Sequence, residues 1–265
     1  MRTALVALWA ILLREGLRFL GQRERMISAL LRPMLWLVIF AAGFRAALGV
    51  AITPPYESYI TYEVYILPGL MGMVQLFNGM QTSLSMVYDR ETGSMRVLLT
   101  APLPRWWLLA CKLLAGALVS LVQVYAFLAA ALAFGVEVPP WGLLAALPVL
   151  LLTGLMLGAA GLFLSSAIRQ LENFAGVMNF VIFPAFFLSS ALYPLWKVAE
   201  TSPLLARLAQ FNPFTHAVEA IRFALYLDVA PLSLAWVLGG LAVFFGLAVW
   251  GYDPSRGFLA RRVME

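Results

Sequence analysis

Three groups of residues have the types and spacing to do chemistry. His216, Glu219 and Arg222 recur every three residues, so a helix would bring them to one face. An acid–base site could be built from such a set, but a solvated or mutually paired polar face is the simpler reading. Gln75, Asn78, Thr82 and Ser85 follow a 3-4-3 spacing inside an apolar run, with Gln81 beside them, and Asn173 and Asn179 stand in a later apolar run. In lipid such groups must find partners, so they either join helix to helix or line a path for a polar or amphipathic molecule. The third group is the charged run Asp89-Arg90-Glu91-Thr92-Gly93 between two apolar segments. Thr92 can cap a helix of about two turns, in which Met95, Leu98 and Leu99 share one face. Pro102 and Pro104 end it. Glu91 then sits at the helix amino terminus, where a carboxylate is favoured, and Gly93 allows a tight turn or a close approach. Arg105, Trp106 and Trp107 follow as an interfacial basic and aromatic edge.

Other chemistry is excluded. The chain has no G-x-x-x-x-G-K-[ST] loop for nucleotide phosphates. One histidine excludes a His-cluster metal site, and the single cysteine, Cys111, excludes an internal disulfide framework. No catalytic residues, metal or cofactor are expected on this chain.

The elements that must position these groups follow from composition. Of 265 residues, 63% are hydrophobic and 12% charged, and the mean hydropathy is +0.89. A soluble domain carries about twice that charged fraction. The apolar residues come in long runs, which indicates an all-α, polytopic membrane protein. Six spans are expected, at residues 33–49 (entered from about Ile27), 62–87, 106–134, 141–168, 173–193 and 232–250. None carries a mid-span carboxylate, as an ion-driven carrier would need. Gly154, Gly158, Gly161 and Ser165 give the fourth span a small-residue stripe for close helix approach.

Fourteen of the 18 basic residues fall on one side of this layout: the amino terminus, the loop with Arg90, Arg96, Arg105 and Lys112, then Arg169, and the tail with Arg256, Arg261 and Arg262. The positive-inside rule therefore puts both termini in the cytoplasm, and the net charge of +5 reflects orientation, not nucleic-acid binding. Residues 1–26 are expected to form an amphipathic helix in the cytoplasmic interface with arginines toward lipid headgroups. A signal peptide is disfavoured because no small-residue cleavage site follows. Residues 194–231 lie outside and should form two short helices, one over 203–210 and one capped by Asn212 with Pro213 as its first residue, which either lie in the interface or dip back into the membrane. Within the latter, Arg222 is expected to make an exposed pair with Glu219 or to meet a headgroup. The whole chain, 1–265, reads as one transmembrane domain: an interfacial helix (1–26), spans one to five (27–193), an external hairpin (194–231), span six (232–250) and a cytoplasmic tail (251–265).

Taken together, three stretches resemble the ABC type-2 permease family, the transmembrane subunits of ATP-binding-cassette exporters. They are Asp89-Arg90-Glu91-Thr92-Gly93 running into Leu98-Leu99-Thr100-Ala101-Pro102, then Phe187-Leu188-Ser189-Ser190-Ala191-Leu192-Tyr193-Pro194, and Asn212-Pro213 with Arg222. Within the family the chain looks most like nodulation-type lipooligosaccharide exporters and drug-resistance permeases. The resemblance implies an inner-membrane permease that pairs with a second copy and with cytoplasmic ATPases holding ATP and Mg. Glu91, Gly93, Met95, Leu98 and Leu99 would then contact the ATPase, and Gln75, Asn78, Thr82, Ser85 and Asn179 would be candidates for the substrate path. An ATP-independent channel or ion-driven carrier is the alternative.

Overall fold

Proline, glycine and a few side-chain caps cut the long apolar runs into helices. The computed structural model describes residues 2–21, 23–44, 54–56, 60–92, 103–168 and 170–252. The described elements are all helical: α1 (Arg2–Gly21), α2 (Arg23–Phe44), α3 (Tyr62–Glu91), α4 (Arg105–Ala133), α5 (Pro140–Ala167), α6 (Leu171–Phe187), α7 (Leu195–Thr201), α8 (Pro203–Phe211), α9 (Pro213–Leu225) and α10 (Pro231–Gly251). Proline opens α5, α8, α9 and α10, where its missing N–H costs no helical hydrogen bond.

Among the described residues, α4, α5 and α10 are long and apolar enough to cross a membrane, and Leu30–Phe40 and α6 are shorter apolar helices. The 30-residue α3 is not in the first group. Its amides and hydroxyls interrupt the apolar run, and most of them are buried inside the bundle.

At the centre, α5 packs most extensively against α3 and α10, and further against α4 and α9. Lipid offers no hydrophobic reason for helices to associate, so backbone proximity and polar contacts must hold them. The predicted small-residue stripe supplies the first. A Cβ placed on Gly79 of α3 would lie 2.9 Å from Cα of Gly158, and one on Gly161 would lie 2.6 Å from Oγ of Ser83. Phe127, Phe174, Phe186 and Phe214 fill the spaces between the other helices.

Four boundaries differ from expectation. The opening helix ends at Gly21, and Arg23 begins α2, so 23–26 belong to the first span's helix rather than to the interfacial one. Helix α6 ends at Phe187, six residues short of the predicted span. Residues 188–193 are irregular, yet Ser189, Ser190, Ala191 and Leu192 are buried. An extra short helix, α7, precedes the two expected ones. Finally, α9 is not a surface helix: most of it is buried against α3, α5 and α10.

Candidate functional site

The sequence motifs converge on two polar junctions, one at each end of α3. The first is the C-terminal end of that helix, where three consecutive side chains reach three different neighbours. Asp89 is buried, and its Oδ2 accepts from Nζ of Lys112 at 2.7 Å and from Nη2 of Arg14 at 3.1 Å, which fixes α4 and α1 to α3. Arg90 donates through Nη2 to the carbonyl of Ser165 at 2.9 Å and through Nη1 to that of Ile168 at 3.4 Å. These are unpaired carbonyls at the C-terminal end of α5, where a cation is favoured. The same guanidinium lies over the Tyr252 ring at 5.1 Å, and the Tyr252 hydroxyl is 2.8 Å from Oγ of Ser165, so the end of α10 joins the junction. Glu91 accepts the backbone N–H of Leu171 at 2.8 Å, capping the first turn of α6.

This geometry corrects several expectations. Thr92 follows α3 directly, and its hydroxyl donates back to the Tyr88 carbonyl at 3.0 Å; the loop helix that it was expected to cap lies outside the described residues. Glu91 caps α6, an element 80 residues away; the loop helix at whose start it was expected lies outside the described residues. Arg14 turns to Asp89 rather than to lipid headgroups, because a buried carboxylate next to it is the stronger partner. Lys112 is buried and is not a loop cation. Gly93, Met95, Leu98 and Leu99 lie outside the described residues. On the far side of them, Trp107 donates its Nε1–H to the Ala4 carbonyl at 3.2 Å, a second tie between α4 and α1.

The second junction forms around the irregular segment 188–193. Non-helical backbone at this depth must have its carbonyls satisfied by protein. Tyr62 and Tyr65, from the first turn of α3, donate to Leu192 and Ser190 carbonyls at 2.8 and 3.0 Å. Asn212 donates to the Ala185 and Leu188 carbonyls at 2.8 and 2.6 Å while its Oδ1 caps Phe214 N–H. Arg222 donates to Ser190 at 2.8 Å, pairs with Glu219 and lies 4.3 Å over the Tyr65 ring. The Arg222 side chain is only 3% exposed, so the expected exposed pair is in fact a buried one. Pro213 opens α9, as expected. His216 does not share a solvated face with Glu219: its Nε2 is 2.8 Å from the Gln210 carbonyl, and its ring stacks on Trp236.

The polar stripe of α3 is divided among contacts within the bundle. Gln75 bonds the Leu150 carbonyl and accepts from Thr153 at 2.7 Å, joining α3 to α5. Asn78 and Ser85 bond carbonyls of their own helix, at Val74 and Thr82. Thr82 packs where a Cβ on Gly116 of α4 would touch it. Asn179 is exposed, off the face of α6 that carries the buried Phe174, Met178 and Ile182. The five suggested path residues therefore do not line one passage inside the chain, and Gln75 is helix-to-helix contact.

Three signals went unused. Lys112 lies inside a predicted span and Asp89 at the edge of another, and a charge at such depth needs a named partner. Arg222 belongs to an amphipathic helix with too many apolar residues to be a surface one: among its 13 residues, Phe214, Val218, Ile221 and Leu225 are joined by Ala217, Ala220 and Ala224.

A family model described as ABC-2 type transporter matches residues 6–226. Over 200 residues the chain is 27% identical to a protein of Cyanophora paradoxa named as a transport permease, ycf38, covering 75% of this chain and 67% of that one. It is 30% identical over 185 residues to YbhR of Escherichia coli K12, named as a multidrug ABC transporter permease, and this covers 68% of this chain and 48% of YbhR. The match thus spans about half of YbhR. With Nodulation protein J of Rhizobium leguminosarum bv. trifolii the identity is 25% over 258 residues, covering 93% of this chain and 91% of the relative.

Proposed function

The chain belongs to the ABC-2 type transporter family and is a membrane permease subunit of an ABC transporter, and from that premise we propose how it works. Two copies pair in an inner membrane, and cytoplasmic ATPases that hold ATP and Mg bind beneath them. Six helices cross the membrane (α2 to α6 and α10), with both termini in the cytoplasm, and the chain acts as one transmembrane domain in contact with lipid. Its work is export of an amphipathic or lipid-linked substrate. The names of YbhR and Nodulation protein J support that class.

The observation that carries the mechanism is the Asp89-Arg90-Glu91 junction. The loop proposed to meet the ATPase, including Gly93, Met95, Leu98 and Leu99, begins directly after it. A displacement of that loop acts on the end of α3, and through three charged side chains on α1 and α4, on α5 and α10, and on α6. Packed helices shift as rigid bodies, so a push at one point reaches all of them. Among the described residues the carboxylates of these six helices, Glu24, Glu63, Asp89, Glu91 and Glu172, stand at helix ends. This gives an ion-driven carrier no relay through the middle of the bundle.

Purification of the tagged chain from its own cells tests the proposal. An ABC ATPase should co-purify, and vesicles holding the pair should move an amphipathic substrate only with hydrolysable ATP. Transport that continues without ATP would refute it.

A further inference from the structure

Arg32 of α2 carries its charge at a depth where a membrane tolerates charge least. Helix α10 is long and apolar enough to cross a membrane, so its midpoint marks mid-depth. A Cβ on Gly240, near that midpoint, would lie 3.0 Å from Sδ of Met156, and just beyond Met156 the backbone of Gly158 meets Gly79 of α3. Phe77 stands about half a turn from Gly79, and the Arg32 guanidinium lies over its ring, 4.1 Å from the centroid. The charge is thus held near the middle of the bundle rather than carried to an interface, as a snorkelling arginine would carry it. Arg32 is exposed, and among the described residues it meets no carboxylate and no hydrogen-bond acceptor.

Its surroundings are aromatic. Helices α2 and α6 both pack on α3. They meet through Trp36, whose ring lies 6.1 Å from Phe186 and 5.9 Å from Phe187. One turn back along each helix, on the same faces, stand Arg32 and Phe183, and Asn179 follows a turn further back on α6. Phe183 and Asn179 are exposed. An open groove therefore runs between the two helices, with the half-buried Phe77 beneath Arg32.

A guanidinium laid on a ring uses its face and keeps its in-plane N–H groups for an acceptor. An unpaired cation in a low-dielectric layer is costly, which favours any anion that enters the groove. Sulfonate, carboxylate and phosphate groups match the planar fork, Trp36 and Phe183 offer surface to an apolar body, and Asn179 offers a polar edge. We propose that this groove binds a free amphipathic organic anion through Arg32. The inference rests on the permease reading and names a substrate class for it. A phospholipid headgroup shares the chemistry. In the bilayer, however, its phosphate stands about 15 Å from mid-depth, half the hydrocarbon thickness, which disfavours it.

The test uses the permease with its ATPase in phosphatidylcholine nanodiscs, which carry no net lipid charge, with binding to empty discs subtracted. Two fluorescent probes share one skeleton: anilinonaphthalene sulfonate is an anion, and phenylnaphthylamine lacks the sulfonate. Each is titrated against the parent, Arg32→Gln, Arg32→Lys and Asn179→Asp. Asn179 makes no hydrogen bond among the described residues, so Asn179→Asp adds a repelling charge without removing one. Size-exclusion profiles check assembly, and Asn179→Asp decides if Arg32→Gln fails to assemble. The expected result is saturable sulfonate binding to the parent, weakened about tenfold by Arg32→Gln, less by Arg32→Lys, and weakened by Asn179→Asp. Phenylnaphthylamine should bind all four alike. Equal sulfonate affinity in the parent and Arg32→Gln would overturn the proposal, and so would equal losses for both probes. Displacement of the sulfonate by added phosphatidylglycerol that stays bound would assign the groove to a headgroup. Dissociation of paired permeases in Arg32→Gln would assign Arg32 to the second copy. Either result overturns the proposal. ATP turnover measured on the same samples separates the two readings. Permease-dependent turnover with no Arg32-dependent binding sinks the groove alone, and absent turnover counts against the permease–ATPase reading.

Discussion

Two turns of the chain differ by a single side chain and show what one residue contributes. After α4, Gly135 adopts φ +86°, and the N–H groups of Gly135 and Val136 bond the Leu132 and Ala131 carbonyls. After α9, the same hydrogen-bond pattern returns at Leu227 and Asp228, but Leu227 must hold φ +61° with a Cβ in the way. Leu227→Gly should therefore stabilise the protein by about 1 kcal/mol, and Gly135→Ala should destabilise it by about as much, read as thermal shifts in detergent. The Asp89 group is of another kind. Asp89→Asn leaves Lys112 buried without its counter-charge and should cost about 3–5 kcal/mol, whereas the double change Asp89→Asn/Lys112→Met should recover much of the loss.

Between elements, stability depends on backbone approach and on carbonyls given to side chains. Gly79→Leu would force α3 off α5, because its Cβ would lie 2.9 Å from Cα of Gly158, and overpacking of this kind costs about 1–3 kcal/mol. Measured melting should fall, with no recovery from changes at Gly135. At the second junction, Arg222→Ala removes one of the donors to Ser190 and leaves Glu219 beside a buried gap. The variant should lose assembled protein from the membrane, and Arg222→Lys should rescue it only in part, since an ammonium cannot reach two partners as a planar fork does. This reverses the sequence expectation that Arg222 makes an exposed pair or meets a headgroup, and the reason is physical. Helical periodicity placed α9, its Asn212 cap and its Pro213 start correctly, but it reports only what faces a helix has. Which neighbours cover those faces depends on α3, α5 and α10 packing around it. The same limit explains α6. Its apolar run continues past Phe187, so hydropathy extended the span, while the carbonyl partners that let the chain leave the helix come from Tyr62, Tyr65, Asn212 and Arg222. The small-residue stripe of α5 was legible because close approach needs little more than missing side chains.

Over the whole molecule, charge is separated by end. Arg14, Arg90 and Lys112 meet at the Asp89 junction, and Arg222 stands at the other. Cysteines introduced at Arg105 and at Glu137 should therefore label from opposite sides of the membrane, with Arg105 cytoplasmic; labelling of both from one side would break the six-span proposal. The sequence marked Asp89-Arg90-Glu91 as important but assigned Glu91 to a loop helix, since nothing in local spacing shows that a carboxylate caps a helix 80 residues later. Under the proposed function, that long-range grip is what would let a movement of the loop reach α6. The most direct measurement is of ATP turnover and export by the permease–ATPase complex in nanodiscs and vesicles, comparing the parent with Glu91→Lys and Gly93→Trp. Glu91→Lys places a cation against the N-terminus of α6 and should release that helix from α3. The account predicts that the ATPase stays bound to the Glu91→Lys variant while its permease-stimulated turnover and export both fall, and that Gly93→Trp lowers both as well. If the two variants assemble, hydrolyse ATP and export like the parent, the junction does not couple the two subunits.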